Sequence, residues 1–422
     1  MKFKNLAGTA VKYKWFLVFF PIFLGVQLYQ ASFFRWDAAV YELEGKWFCG
    51  EKLYFEFLRA PLTGAIHCAV GAGQYTPALT VILASVLYLI ALILIFKKEP
   101  GRNNQLVFAA FSLLFPTILW NSNFGSDLFA LAFLLIALSI RTEAKGLAFG
   151  LATLSRYNFI FYAPVFLLQL KPRQWPAFFL GILATWTPWL LFNYAQTGNP
   201  LFSVEDFVYL NFVQKGIAAP LGIDHAILIL FFLASVFVAT GLDIKNLKNA
   251  LFQVGLLGIL QFLVSGVKET RFLNILVPAQ ASFLAKKTSK PAQANFAKAL
   301  LALLAISALL APLFYYNPSN QKQYAIPDDV KLKECRVMSD HWLRFYEKGI
   351  IAEPLPREDD FDYFLKSGVN LVVYDQKVGL QESPDYEIIK GDGYSFFKPR
   401  ACEPQPQNYT LKVWRGDWRI TQ

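Results

Sequence analysis

The sequence predicts a polytopic α-helical membrane protein of about eleven membrane segments, followed by a small α/β domain outside the membrane. Three observations predict it. Hydrophobic residues make up 55% of the 422 and charged residues only 17%, far from the balance of a soluble core. Apolar runs of roughly one bilayer thickness recur along the first three quarters of the chain. The basic residues behind the formal charge of +10 cluster in short loops, as the positive-inside rule requires, which argues against nucleic acid as a partner.

The elements follow in order. Lys2, Lys4, Lys12 and Lys14 precede an apolar run over 15–34. That run is too long for a signal-peptide core and lacks a small-residue cleavage pattern, so it reads as an uncleaved first span with the N-terminus cytoplasmic. Residues 35–75 then form a first outer loop rich in rings: Trp36, Trp47, Phe48, Tyr54, Phe55 and Phe57. Spans over 76–96, 105–120 and 128–140 alternate, with Lys97, Lys98 and Arg102 inside and the polar patch 121–127 outside.

The stretch 146–170 is long enough to cross once, yet Arg141 and Lys145 precede it and Lys171 and Arg173 follow. It also holds Arg156 near its centre. A buried arginine costs at least about 2.5 kcal/mol on insertion scales and is usually functional. We therefore expect a broken hairpin of two half-helices that enters and leaves on the inside, with irregular backbone lining a cavity. Spans over 175–195, 225–242, 250–266, 273–285 and 296–316 complete the membrane domain, residues 1–316. Thr197-Gly198-Asn199-Pro200 marks a turn in the outer loop 196–224.

Residues 317–422 differ in kind, being polar and mixed in charge. Residues 336–338 and 370–374 read as strands, and 341–348 and 359–366 as helices, which makes a small exofacial α/β domain. Cys49 and Cys68 fall outside, as do Cys335 and Cys402. Each pair can form a disulfide there or remain buried thiols, and spacing does not decide between them. Asn408-Tyr409-Thr410 is a glycosylation sequon on the matching side. Histidine is scarce and clusters with no cysteine, so no structural metal is expected.

Asp37, Arg59, Asp127, Lys268 and Arg271 share the outer face in this topology. Taken singly, Asp127 reads as a helix N-cap and Lys268 and Arg271 as snorkelling anchors. As a set they describe different chemistry. Outer basic residues can grip a lipid phosphate by charge-assisted hydrogen bonds, and an aspartate can deprotonate a hydroxyl.

These motifs resemble the integral-membrane GT-C glycosyltransferases, in particular the group of protein O-mannosyltransferases and the lipid A aminoarabinose transferase, in an archaeal or bacterial form. Trp36-Asp37-Ala38-Ala39-Val40-Tyr41 is similar to the opening of that family's first outer loop, and Arg59-Ala60-Pro61-Leu62 to its end. Ser126-Asp127-Leu128-Phe129, the stretch from Gly150 to Arg156-Tyr157, Thr197-Gly198-Asn199-Pro200 and Lys268-Glu269-Thr270-Arg271-Phe272 also match in order. The resemblance implies Asp37 as catalytic base and Asp127, the acid at the start of the family's fourth helix, as a second catalytic residue. It implies Arg59, Lys268 and Arg271 as ligands of the donor phosphate, with Tyr41, Glu42, Arg156 and Glu269 in support. Ala38 stands where the family often has Glu, which would move a second acid to Glu42.

The implied donor is a dolichyl- or undecaprenyl-phosphate sugar, and the acceptor a protein, lipid or glycan hydroxyl. The expected protein is thus a multi-pass cell-membrane transferase in contact with membrane lipid. No cofactor is called for, and a divalent cation is left open. The rival reading is a transporter or flippase for a lipid-linked or anionic substrate, which Arg156 and the broken hairpin would suit.

Overall fold

The computed structural model describes residues 13–31, 36–51, 54–71, 75–98, 104–120, 125–140, 142–214, 220–240, 249–266, 268–285, 335–342, 352–355, 360–374, 383–391, 393–404, 410–412 and 419–420, with single positions between 295 and 350. The expected span 296–316, most of the expected helix 341–348, and Asn408 lie outside them. The chain forms two compact units. One joins 1–33, 57–317 and 413–417; the other joins 34–56, 318–412 and 418–422.

The first unit is helical. Its elements are α1 (Lys14–Ala31), then, beyond the second unit's α2 (Trp36–Phe48) and β1 (Tyr54–Glu56), α3 (Leu62–Ala69), α4 (Thr76–Lys98), α5 (Gln105–Leu114), α6 (Pro116–Trp120), α7 (Ser126–Ser139), α8 (Thr142–Ser155), α9 (Ala163–Gln169), α10 (Trp175–Thr197), α11 (Phe202–Val208), α12 (Ile223–Thr240), α13 (Ala250–Val264) and α14 (Leu276–Leu284).

Among the described residues, three helices are long and apolar enough to cross a membrane: Lys14–Ala31, Thr76–Lys98 and Pro172–Thr197. The other apolar helices among the described residues are shorter, so the structure is a helical membrane protein without clearly reaching the expected count of about eleven segments, half-helices counted separately. Proline explains one case. Phe115 is extended and Pro116 lacks an N–H, so the run 105–120 divides into α5 and α6. The carbonyls freed at the end of α6 are satisfied from α1: Gln27 Nε2 donates to Leu119 O at 2.8 Å and Gln30 Nε2 to the same oxygen at 2.6 Å.

Helix α7 is apolar on every side and almost wholly buried, as the central helix of a bundle should be. Next to it the chain makes an out-and-back excursion. Gly146 and Gly150 let α8 approach α10 closely: a Cβ on Gly146 would meet Phe178 O at 2.0 Å, and one on Gly150 would meet Thr185 Oγ1 at 1.9 Å. Further along, Trp186 Nε1 donates to Thr153 Oγ1 at 2.8 Å and Trp189 Nε1 to the Tyr157 hydroxyl at 2.7 Å. Rising numbers pair with rising numbers, so α8 and α10 run parallel. Arg156 is extended (φ −154°, ψ 118°) and ends α8; a 3-10 turn over Tyr157–Tyr162 leads into α9. The Phe166 ring of α9 lies 4.8 Å from that of Phe149 in α8, which fixes the return. The stretch 146–170 is therefore two helical pieces broken at Arg156, the second folded back along the first.

The second unit is a sheet with helices. Its strands are β1 (Tyr54–Glu56), β2 (Val337–Ser339), β3 (Ala352–Pro354), β4 (Asn370–Val373), β5 (Tyr386–Gly391), β6 (Tyr394–Pro399), β7 (Thr410–Lys412) and β8 (Arg419–Ile420), with α15 (Phe361–Lys366). A five-stranded sheet has the order β3-β2-β4-β6-β5; β2 is parallel to β3 and β4, and β6 is antiparallel to β4 and β5. Residues 336–338 and 370–374, expected as strands, supply β2 and β4. Alternation along the strands divides the core in two. Met338, Leu371, Val373 and Phe397 pack with Phe361 and Leu365 of α15. Val337, Ala352, Val372 and Phe396 pack with Trp342, Phe345 and residues of the first loop.

The first outer loop, expected over 35–75, has regular structure of its own. Its early part is the helix α2 and the strand β1, and these belong with the C-terminal segment. Val40, Leu43 and Tyr54 are buried in that shared core, and β1 pairs in parallel with β7, Tyr54 opposite Thr410. Apolar side chains on one face of α2 need a partner, and the sheet supplies it. Cys335 and Cys402 form a disulfide, and Cys49 and Cys68 are also disulfide-bonded.

Candidate functional site

In the first unit, Asp127, Arg156, Asn158, Arg271, Phe272 and Asn274 line a small cleft with Leu131, Phe159, Tyr162 and Ile275. Local sequence delivers each side chain. Gly125, in the left-handed region (φ 88°), starts α7 and places Asp127 in its first turn, where a carboxylate is favoured. Arg156 arrives through the break after α8, and Arg271 and Phe272 lie on a 3-10 turn, Thr270–Leu273.

Arg156 Nε lies 2.5 Å from Asp127 Oδ1; their side chains are 13% and 9% exposed, so this is a desolvated ion pair. Arg271 Nε sits 2.5 Å from Glu269 Oε2, and that glutamate is half exposed. Both guanidiniums approach the same ring: the Phe272 centroid is 5.6 Å from Arg156 Cζ and 5.5 Å from Arg271 Cζ. The cavity encloses about 20 Å³, room for a water or one oxygen of an anion. A larger group must displace a side chain, and Glu269 is the carboxylate with most exposure to leave.

The other expected site residues lie elsewhere. Lys268 Nζ donates to the carbonyls of Phe262 at 2.7 Å and Leu263 at 3.0 Å, and also to Ser265, so it caps the C-terminus of α13. Burial lowers its pKa. Arg59 does not line the cleft; its carbonyl accepts a hydrogen bond from the Tyr157 hydroxyl at 3.1 Å, which ties the end of the first loop to the residue after the break. Asp37, half-buried in the first turn of α2, belongs to the second unit and is not among the lining residues either. Tyr41 is buried in the same helix. Glu42 pairs with Lys46 at 3.4 Å, one turn on, in a partly exposed contact. The cation that sequence reading placed in a supporting role, Arg156, is thus the one at the centre of the cleft, with Arg271 beside it.

No protein-family model matches this chain, and no curated protein matches it in sequence. The site therefore stands on its chemistry. Among the described residues no group of three or more His, Cys, Asp or Glu could hold a metal ion.

His67, in the last turn of α3, received no role from sequence. It is 2% exposed, neither ring nitrogen has a hydrogen-bond partner among the described residues, and burial pushes its pKa down to about 4. Thr63, one turn earlier on the same helix face, is buried with its hydroxyl equally unsatisfied. The sequence alone could have flagged the pair only as two polar residues at helical spacing.

Proposed function

We propose that this protein is a membrane glycosyltransferase that moves a sugar from a polyprenyl-phosphate donor to an acceptor hydroxyl with inversion. One observation carries the reading: two arginines and an aspartate converge on a single cleft of an apolar helical bundle. Fixed cations there can hold a phosphate in the ground state and stabilise it as the leaving group. Lys98 and Lys145 lie at the other end of the same helices, where Lys98 Nζ donates to Leu138 O near the end of α7. Under the positive-inside rule that lysine end is cytoplasmic and the cleft end exofacial.

In this reading Arg156 and Arg271 hold the donor phosphate, and Glu269 occupies Arg271 until the donor arrives. Asp37 is the general base assigned by its motif. It takes the acceptor proton as the acceptor oxygen bonds to the anomeric carbon, and the polyprenyl phosphate departs with the electron pair of the broken bond. Arg156 lies at a bundle end with Asp127, which favours an interfacial transferase over a translocation path.

The test uses purified protein in lipid nanodiscs with a radiolabelled polyprenyl-phosphate sugar. Asp37→Asn should lower kcat by about 100-fold or more, and Arg271→Ala should raise the donor KM by about 10-fold. Full turnover of Asp37→Asn would remove the base assignment. An unchanged donor KM in both Arg271→Ala and Arg156→Met would remove the phosphate site.

A further inference from the structure

The C-terminal segment has no role in the proposed chemistry, yet it shares a core with the helix that carries Asp37. Val40 and Leu43 lie one and two turns beyond Asp37 on α2, and both are buried with Val337, Ala352, Val372 and Phe396 of the five-stranded sheet. Trp342, fully buried, is the largest side chain of that cluster, and its ring centroid lies 4.3 Å from that of Tyr54. Tyr54 in turn donates to Glu56 Oε1 at 2.5 Å, and β1 is bonded in register to β7. A helix of 13 residues has little stability of its own in water and takes its position from what its apolar face packs against.

We propose that the C-terminal domain is a positioning device for Asp37, acting through Trp342 as the centre of a core shared with residues 36–56. The catalytic part of this inference rests on the proposed function; the shared fold does not. Asp37 is at the start of α2, so the direction of its carboxylate follows the seating of Val40 and Leu43. The sheet acts through the helix, and Trp342 is a positioning residue rather than a catalytic one.

A second consequence is independent of any activity. One water-exposed folded unit cannot straddle a bilayer, so residues 36–56 and 335–399 lie on the same membrane face. The chain between them therefore crosses an even number of times.

The experiment compares the full chain with Trp342→Ala and Trp342→Phe in nanodiscs, by amide hydrogen exchange and by pH–rate profiles. In Trp342→Ala, amides of 36–48 should lose about 100-fold in protection while those of 76–98 stay as they were. The acid limb of the kcat profile should move, because the base sits in a changed environment; a smaller active fraction alone would not move it. Trp342→Phe should restore most of both. In intact cells, a membrane-impermeant maleimide should label Glu51→Cys and Tyr363→Cys alike, both being exposed positions.

Unchanged protection of 36–48, or labelling of one cysteine and not the other, would overturn the shared fold. Faster exchange with an unmoved acid limb would overturn the positioning role. If the unmodified chain shows no transferase activity, the proposed function and the positioning role fall together, while exchange and labelling still decide the shared fold.

Discussion

The Asp127–Arg156 pair makes the sharpest quantitative test of the cleft. The two atoms are 2.5 Å apart and both side chains are nearly excluded from solvent. At an effective dielectric of about 20, unit charges near 4 Å attract by about 4 kcal/mol, and removing one partner of a buried pair typically costs about 3–5 kcal/mol. Most of that cost is the stranded charge. Arg156→Met should therefore destabilise by about 3 kcal/mol or more, and Asp127→Asn by a similar amount. The double substitution should cost little more than either single one, because it strands nothing. The cycle should then give a coupling energy of about 3 kcal/mol. Denaturant unfolding in detergent, followed by tryptophan fluorescence, measures all four proteins. Single effects that add to within about 0.5 kcal/mol would refute the argument, since two residues in a desolvated ion pair cannot behave independently.

Other consequences follow from particular contacts. Lys268→Met should lower stability by about 1 kcal/mol through the lost cap on α13, with a donor KM much closer to that of the unmodified protein than Arg271→Ala shows. Gly146→Ala should destabilise by about 1–3 kcal/mol or more, since its Cβ would press on the backbone oxygen of Phe178, which has no flexible end to move; thermal unfolding reports it. His67 makes stability depend on pH. Its folded-state pKa is depressed from 6.5 to about 4, so between those values the unfolded chain binds more protons than the native one. The stabilisation is complete above pH 6.5 and falls by about 3 kcal/mol as the pH drops towards 4. His67→Phe should flatten that slope in a melting series from pH 7 to 4.

Much of the outline was legible because its signals are local. Apolar runs mark the helices of the first unit, and Arg156 amid apolar residues marks the break between α8 and α9. The change in composition after residue 317 marks the tail, whose alternating strands β2 and β4 read directly. Some local signals were there to be read differently. Lys268 follows an apolar helix by a few residues, the ordinary place for a lysine that caps carbonyls, and Gly146-Leu147-Ala148-Phe149-Gly150 has the small-residue spacing that brings two helices close.

The length of apolar runs was a poorer guide to the number of full-length helices, because Pro116 divides the run 105–120 that hydropathy reads as continuous.

By itself the sequence determined the helical character of the apolar runs of the first unit, the α/β character of the tail and the presence of acids and bases among apolar segments. Periodicity and composition are properties of neighbours in the chain, and they suffice for that. Only the tertiary structure decided that Arg156 faces Asp127 and shares the Phe272 ring with Arg271, because an ion pair between distant residues depends on how helices return past one another. Only it decided that α2 and β1 belong with a sheet almost three hundred residues further on. An amphipathic helix records that it must bury one face; it does not record what will cover it.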